Sequence, residues 1–91
     1  IELYTEAYAS GFVADPAAAL APYAETARAA LGHGLGINAG HDLSLKNLEY
    51  FAANLEGLLE VSIGHALICD ALEFGMSNTV RMYLNCLKGK R

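Results

Sequence analysis

The chain has 91 residues, a formal net charge of −4 and a pI near 5.2. A hydrophobic share of 54% beside a charged share of 18% excludes a disordered chain. The acidic balance argues against nucleic acid as a partner, which needs a basic stripe along its phosphates; the one basic cluster is Lys88, Lys90 and Arg91 at the very end. No apolar run approaches the ~20 residues of a membrane helix, so no membrane partner is expected.

Ile1 to Thr5 alternates apolar with polar or amphipathic residues and predicts a strand. Glu6 to Ala14, with Gly11 inside it, reads as a loop. Asp15-Pro16 is a helix start, cap then first-turn proline. Leu20, Tyr23, Ala24, Ala27 and Leu31 then share one helical face. Pro22 would cost a hydrogen bond inside that helix, so the main helix is expected to begin there, after a short turn from Pro16. Gly32 and Gly34 end it, and His33 between them is placed to cap its C-terminus.

Gly36 to Gly40 reads as a short strand running into a tight turn. Asp42 or Ser44 caps the next helix, whose buried stripe is Leu45, Leu48, Ala52 and Leu55. Gly57 breaks it. Leu59 to Ile63 is the third strand. Gly64-His65 turns the chain into a helix from Ala66 to Phe74, which Gly75 stops. Ser77 or Asn78 caps the last helix, where Val80, Tyr83, Leu84 and Leu87 share a face. The order β-α-β-α-β-α-α argues for parallel βαβ units in one domain spanning residues 1–91. Three parallel strands leave two raw edges, so more sheet is expected on at least one side. The opening in mid-strand, on Ile1 rather than methionine, gives the same expectation of a longer protein.

The chemistry-bearing pattern is a repeat of Gly-His at strand ends: Asn38-Ala39-Gly40-His41 and Ile63-Gly64-His65. Ligands of parallel α/β folds bind at the C-terminal ends of strands. Glycine lets backbone approach a ligand closely, and a helix N-terminus offers free N–H groups and a positive dipole end to phosphate. His41 can serve as a proton donor near neutral pH; the alternative is a histidine that only hydrogen-bonds a loop carbonyl. For His65 the backbone N–H matters more than the imidazole. Glu2, between Ile1 and Leu3, points into a barrel if its neighbours pack outward against helices, and a carboxylate there is costly unless paired or functional; the alternative is an edge strand with Glu2 facing water. Thr5 and Tyr8 are read as serving the loop with their hydroxyls. Cys69 and Cys86 lie among apolar residues, form no CxxC or Cys/His grouping and read as buried, reduced thiols of a cytoplasmic protein; no metal is expected. Ser10, Ser44, Ser62 and Ser77 lack a nucleophile-elbow context.

Asn38-Ala39-Gly40-His41-Asp42-Leu43, Ile63-Gly64-His65-Ala66, and the opening Ile1-Glu2-Leu3-Tyr4-Thr5 with Tyr8-Ala9 together resemble the C-terminal signatures of the pyridoxine 5′-phosphate synthase family. The resemblance covers nearly the whole chain. It implies strands six to eight of a (β/α)8 TIM barrel, with an extra short helix after the last strand. It implies a transferase that condenses 1-deoxy-D-xylulose 5-phosphate with 3-amino-2-oxopropyl phosphate, without metal or organic cofactor, in an octamer. It gives His41 the role of proton donor and Glu2 that of a charge-stabilising carboxylate. Asp42, Gly64 and His65 become phosphate contacts. Two departures stand out. The family commonly carries glycine where this chain has Asp42, so a phosphate contact there works only through the backbone N–H, with the side chain turned away to cap the next helix. Glu6-Ala7 also replaces the family's Gly-Cys. The remaining acid/base groups would lie in earlier βα units, so these 91 residues alone are expected to be inactive.

The rival readings are another phosphate-binding barrel isomerase or lyase, since fold does not fix function, and a non-catalytic helical interaction module with an exposed apolar face. A Schiff-base lyase would need a lysine at a strand end, whereas Lys46, Lys88 and Lys90 fall on helices or the tail.

Overall fold

In the computed structural model, residues 1–88 are described. The strands are β1 (Glu2–Tyr4), β2 (Ile37–His41) and β3 (Leu58–Ile63). They form one parallel sheet in the order β1-β2-β3, with Leu3 beside Ala39 and Ala39 beside Val61. The helices are α1 (Glu6–Phe12), α2 (Pro16–Gly32), α3 (Leu48–Asn54), α4 (His65–Phe74) and α5 (Met76–Lys88). Strand and helix alternate as in consecutive βα units of a barrel. Lys90 and Arg91 of the expected basic cluster lie outside the described residues.

One face of the sheet carries the core. Leu3, Ile37 and Ala39 are buried there with Leu20, Ala27 and Ala30 of α2 and Leu48, Phe51 and Ala52 of α3. Burying a Leu or Phe side chain contributes roughly 1.5–3 kcal/mol, so this layer fixes the pleat. A one-residue slip would turn the whole apolar set outward. The opposite face therefore receives Glu2, Tyr4, Asn38, Glu60 and Ser62. The strand register aligns Glu2 with Asn38, and Asn38 with Glu60. Glu2, Tyr4, Glu60 and Ser62 are all exposed. Parallel sheets ordinarily bury both faces; here a polar face stands open.

Four local expectations need correction. Glu6–Phe12 is a helix, not a loop. Gly11 lies inside it, and a Cβ there would meet Ala19 Cβ at 3.3 Å, so glycine at this point serves the close approach of α1 to α2. Second, α2 does not begin at Pro22 but runs through it. Asp15 Oδ1 accepts the Ala18 N–H at 3.1 Å and secures the N-terminus. Pro22 and Ala18, whose carbonyl loses its partner, are both exposed to water. Third, α3 starts at Leu48. Ser44 begins the turn that leads into it: its hydroxyl accepts the Lys46 N–H at 3.2 Å and its carbonyl the Leu48 N–H at 2.9 Å. Asn47 Oδ1 reaches back to the Ser44 N–H at 2.8 Å, the reciprocal half of a capping box. Fourth, α4 starts at His65 and α5 at Met76, the two meeting at Gly75 with φ 87°. That positive φ is what glycine provides there. The His33 backbone N–H closes α2 by donating to the Ala30 and Leu31 carbonyls.

Candidate active site

The two Gly-His segments meet. His41 ends β2 and pairs with Ile63 of β3. The Gly64 N–H donates to the His41 carbonyl at 3.2 Å. A Cβ on Gly64 would lie 3.3 Å from that oxygen and 3.6 Å from His41 Cβ. Gly40 is tighter still. A Cβ there would overlap the Ser62 carbonyl oxygen and stand 2.9 Å from its carbon. The approach of β2 to β3 thus requires glycine at position 40, directly before the histidine. The Gly40–His41 peptide bond is cis.

β1 brings the carboxylate. Glu2 Oε2 stands 3.9 Å from His41 Nδ1, with the two side chains 41% and 60% exposed. A carboxylate from the first residue of β1 and an imidazole from the last residue of β2 are thus brought close together, both exposed. His65, the first residue of α4, is exposed beside it. Its N–H belongs to the first turn, where a helix supplies no acceptor of its own.

Two proposed anion donors have partners within the fold. The Asp42 N–H donates to Thr5 Oγ1 at 3.1 Å, and the Gly64 N–H is held by His41. Asp42 is exposed, and its side chain does not cap α3.

The loop around His41 is anchored from α1. Thr5, fully buried, donates its hydroxyl to the Gly40 carbonyl at 2.9 Å while accepting from Asp42. Tyr8, also fully buried, donates to the Asn47 carbonyl at 2.6 Å. Its ring meets Phe51, Phe12 and Tyr23 edge-on, with centroids 4.9, 5.5 and 6.1 Å away. Tyr23 accepts the Tyr8 N–H at 3.3 Å and donates to the Tyr4 carbonyl at 2.7 Å. Burial pushes the Tyr8 hydroxyl well above the ordinary tyrosine range, with the neighbouring Tyr50 adding to the shift. Thr5 and Tyr8 were expected to serve the segment that follows β1; that segment is helical, and their hydroxyls instead hold the chain around His41 and Asn47. Asn47 was missed: it stands where a capping box has Glu or Gln, so the Ser44-x-x-Asn47 spacing does not match that signature.

The expectation of two buried cysteines fails for Cys69, which is exposed on α4, while Cys86 on α5 is half-buried. Among the described residues, no group of three or more His, Cys, Asp or Glu side chains is placed to hold a metal ion. No helix among them is long and apolar enough to cross a membrane.

The family model described as pyridoxal phosphate biosynthesis protein PdxJ matches residues 1–89. The chain belongs to the PdxJ family. It is 59% identical over 88 residues to a pyridoxine 5′-phosphate synthase of Bacteroides fragilis, covering 97% of this chain and 37% of that protein. It is 58% identical over 88 residues to the synthase of Cytophaga hutchinsonii, with the same coverage. A third relative, from Albidiferax ferrireducens, is 58% identical over 88 residues, 96% of this chain and 35% of that protein. The chain thus spans little more than a third of the curated PdxJ relatives it matches, and Glu2, His41 and His65 all fall within the matched residues.

Proposed function

We propose that this chain supplies the last three βα units, strands six to eight, of a (β/α)8 barrel that acts as pyridoxine 5′-phosphate synthase. The reaction would condense 1-deoxy-D-xylulose 5-phosphate with 3-amino-2-oxopropyl phosphate to pyridoxine 5′-phosphate, inorganic phosphate and water, without metal or cofactor. In this reading the full-length enzyme is a cytoplasmic transferase and a homo-octamer.

The observation that carries it is the Glu2–His41 pair, 3.9 Å apart, with His41 at the carboxyl end of β2 in a parallel sheet. Dehydration and ring closure need several proton transfers, each accelerated typically ~100- to 10,000-fold by a positioned acid or base. His41 donates a proton to a leaving oxygen, and Glu2 stabilises the positive charge that develops beside it. Asp42, Gly64 and His65 flank this pair and form the phosphate subsite. The free N–H of the first α4 turn at His65 favours an anion. The Asp42 and Gly64 N–H groups already have internal partners, so each would share its hydrogen with the ligand or exchange partners on binding.

The barrel reading also gives two exposed surfaces an occupant. The open polar face becomes the barrel interior. The apolar groove between β3 and α5, lined by Leu59, Val61, Ile63, Val80, Leu84 and Leu87, becomes the seat of a further βα unit. That favours it over a free helical interaction module.

The test is turnover of the two substrates by the full-length protein. His41→Gln should lower kcat by about 100-fold or more with little change in KM. Wild-type kcat in that variant rejects the proton-donor reading. The 91-residue chain alone should show no turnover.

A further inference from the structure

We propose that Thr5 is a positioning residue for His41, holding the backbone on both sides of that histidine through its side-chain hydroxyl. The inference rests on the reading of His41 as proton donor and extends it to a residue that need not touch substrate.

Thr5 occupies the N-cap position of α1, where threonine is a favoured residue because its oxygen ordinarily accepts an N–H of the first helical turn. Here it makes no such bond. The hydroxyl is turned instead across to β2, 35 and 37 residues away in sequence, where it donates to the Gly40 carbonyl at 2.9 Å and accepts the Asp42 N–H at 3.1 Å. The first of these groups belongs to the peptide unit just before His41 and the second to the unit just after it. Rotating either backbone dihedral of His41 moves one unit relative to the other and breaks a bond to the same oxygen. One atom therefore restrains both dihedrals together, and with them the direction in which the imidazole leaves the backbone.

The site admits no ready substitute. Thr5 is fully buried, so water does not replace the hydroxyl without a cavity being opened. The hydroxyl supplies both a donor and an acceptor, as the two partners require. Gly40 cannot compensate by shifting toward β3, where the Ser62 carbonyl already blocks it. The same short segment carries Glu2, 3.9 Å from His41, so β1 and its following residue set both the carboxylate and the histidine backbone it faces.

The test compares Thr5→Val and Thr5→Ser in the full-length protein, each in the wild-type and His41→Gln backgrounds, with both phosphorylated substrates. Thr5→Val keeps the shape and loses the hydroxyl. It should lower kcat about 10- to 100-fold, the scale of a misplacement near 1 Å, with each KM within about 3-fold. Thr5→Ser should stay within about 3-fold of wild type, since it keeps both bonds. In the His41→Gln background Thr5→Val should cost no further activity, because the two act as a unit. An equal loss in both backgrounds, or a Thr5→Ser loss as deep as that of Thr5→Val, overturns the proposal. Unchanged kcat in Thr5→Val while His41→Gln is inactive overturns it and leaves the proton-donor reading standing; an active His41→Gln sinks that reading first. If Thr5→Val does not fold, Thr5→Cys decides: its thiol fills the space with weaker bonds, so reduced kcat at unchanged KM supports the proposal and wild-type kcat rejects it.

Discussion

Glu2 Oε2 lies 3.9 Å from His41 Nδ1, and these side chains sit on an exposed face with little else holding them. The pair joins residues from two strands that are 39 positions apart in sequence and become neighbours only through the β1–β2 register. Pairs this exposed contribute roughly 0–1 kcal/mol to stability. Folding therefore gains little from their juxtaposition, and the chemical role proposed for the pair is the alternative.

Glu2→Gln should separate the two. The substitution keeps the shape and removes the charge. In urea titration the midpoint should move little, within about 0.5 kcal/mol of wild type. In the full-length enzyme kcat should fall by about 100-fold, the scale of losing one electrostatic stabiliser. A large loss of stability with kcat preserved would make Glu2 a structural residue.

Gly40→Ala is a test of the backbone under His41. The added methyl would overlap the Ser62 carbonyl, which is strand backbone and cannot swing aside. Either β2 separates from β3 or the ladder distorts. The expected destabilisation is about 1–3 kcal/mol, typical of overpacking, with near-complete loss of turnover. Equilibrium unfolding and a kinetic assay on the same preparation check both. A variant as stable and active as wild type would mean that the strand approach is looser than the geometry indicates.

The sequence carried the three strands, the helix after each and both Gly-His loops, because these depend on local rules: alternation, capping and glycine at strand ends. The Glu2–His41 contact was not read from the sequence, which assigned each residue a role but no shared location. What stayed hidden was set by tertiary contact. Glu6–Phe12 looked like a loop because its seven residues are too few to be a stable helix alone; Tyr8 docks it onto Tyr23 and Phe51. Pro22 looked like a helix start because an interior proline costs a bond, yet its exposed position keeps that cost small. The Thr5 hydroxyl read as a local loop group, and no sequence spacing could announce a partner 35 residues away.

Tyr8→Phe should change the response to alkali. Tyr8 is raised above its ordinary value of about 10 in the folded protein by burial, and Tyr83 is raised in the same direction, by burial first and then by Asp70, whose Oδ2 accepts its hydroxyl at 2.7 Å. The folded state thus holds these protons where the unfolded chain has begun to release them. That stability is fully present below about pH 10 and is lost as pH rises toward the folded values, at about 1.4 kcal/mol per pH unit for each tyrosine. Tyr8→Phe should be less stable than wild type at pH 7 by about 1 kcal/mol, because the Asn47 carbonyl loses its donor. Its further decline above pH 10 should be shallower. Urea unfolding from pH 7 to pH 11 compares the slopes, and parallel curves would show that Tyr8 ionises alike in both states.

Asp42→Asn should improve substrate binding. Asp42 is exposed, and its backbone N–H rather than its side chain is tied into the fold through Thr5. If a substrate phosphate sits beside it, as proposed, the carboxylate repels the ligand while contributing nothing to the anchoring of the loop. Two unit charges about 5 Å apart in water interact by about 0.8 kcal/mol, and a dianionic phosphate by more. Removing the charge should lower the KM of one phosphorylated substrate about 3- to 10-fold at low ionic strength, with kcat and the unfolding midpoint nearly unchanged. The advantage should shrink as salt is raised, because screening weakens repulsion between exposed charges. Steady-state kinetics at two ionic strengths measures both effects. An unchanged KM at low salt would place the phosphate away from Asp42 and confine the anion subsite to the Gly64-His65 turn.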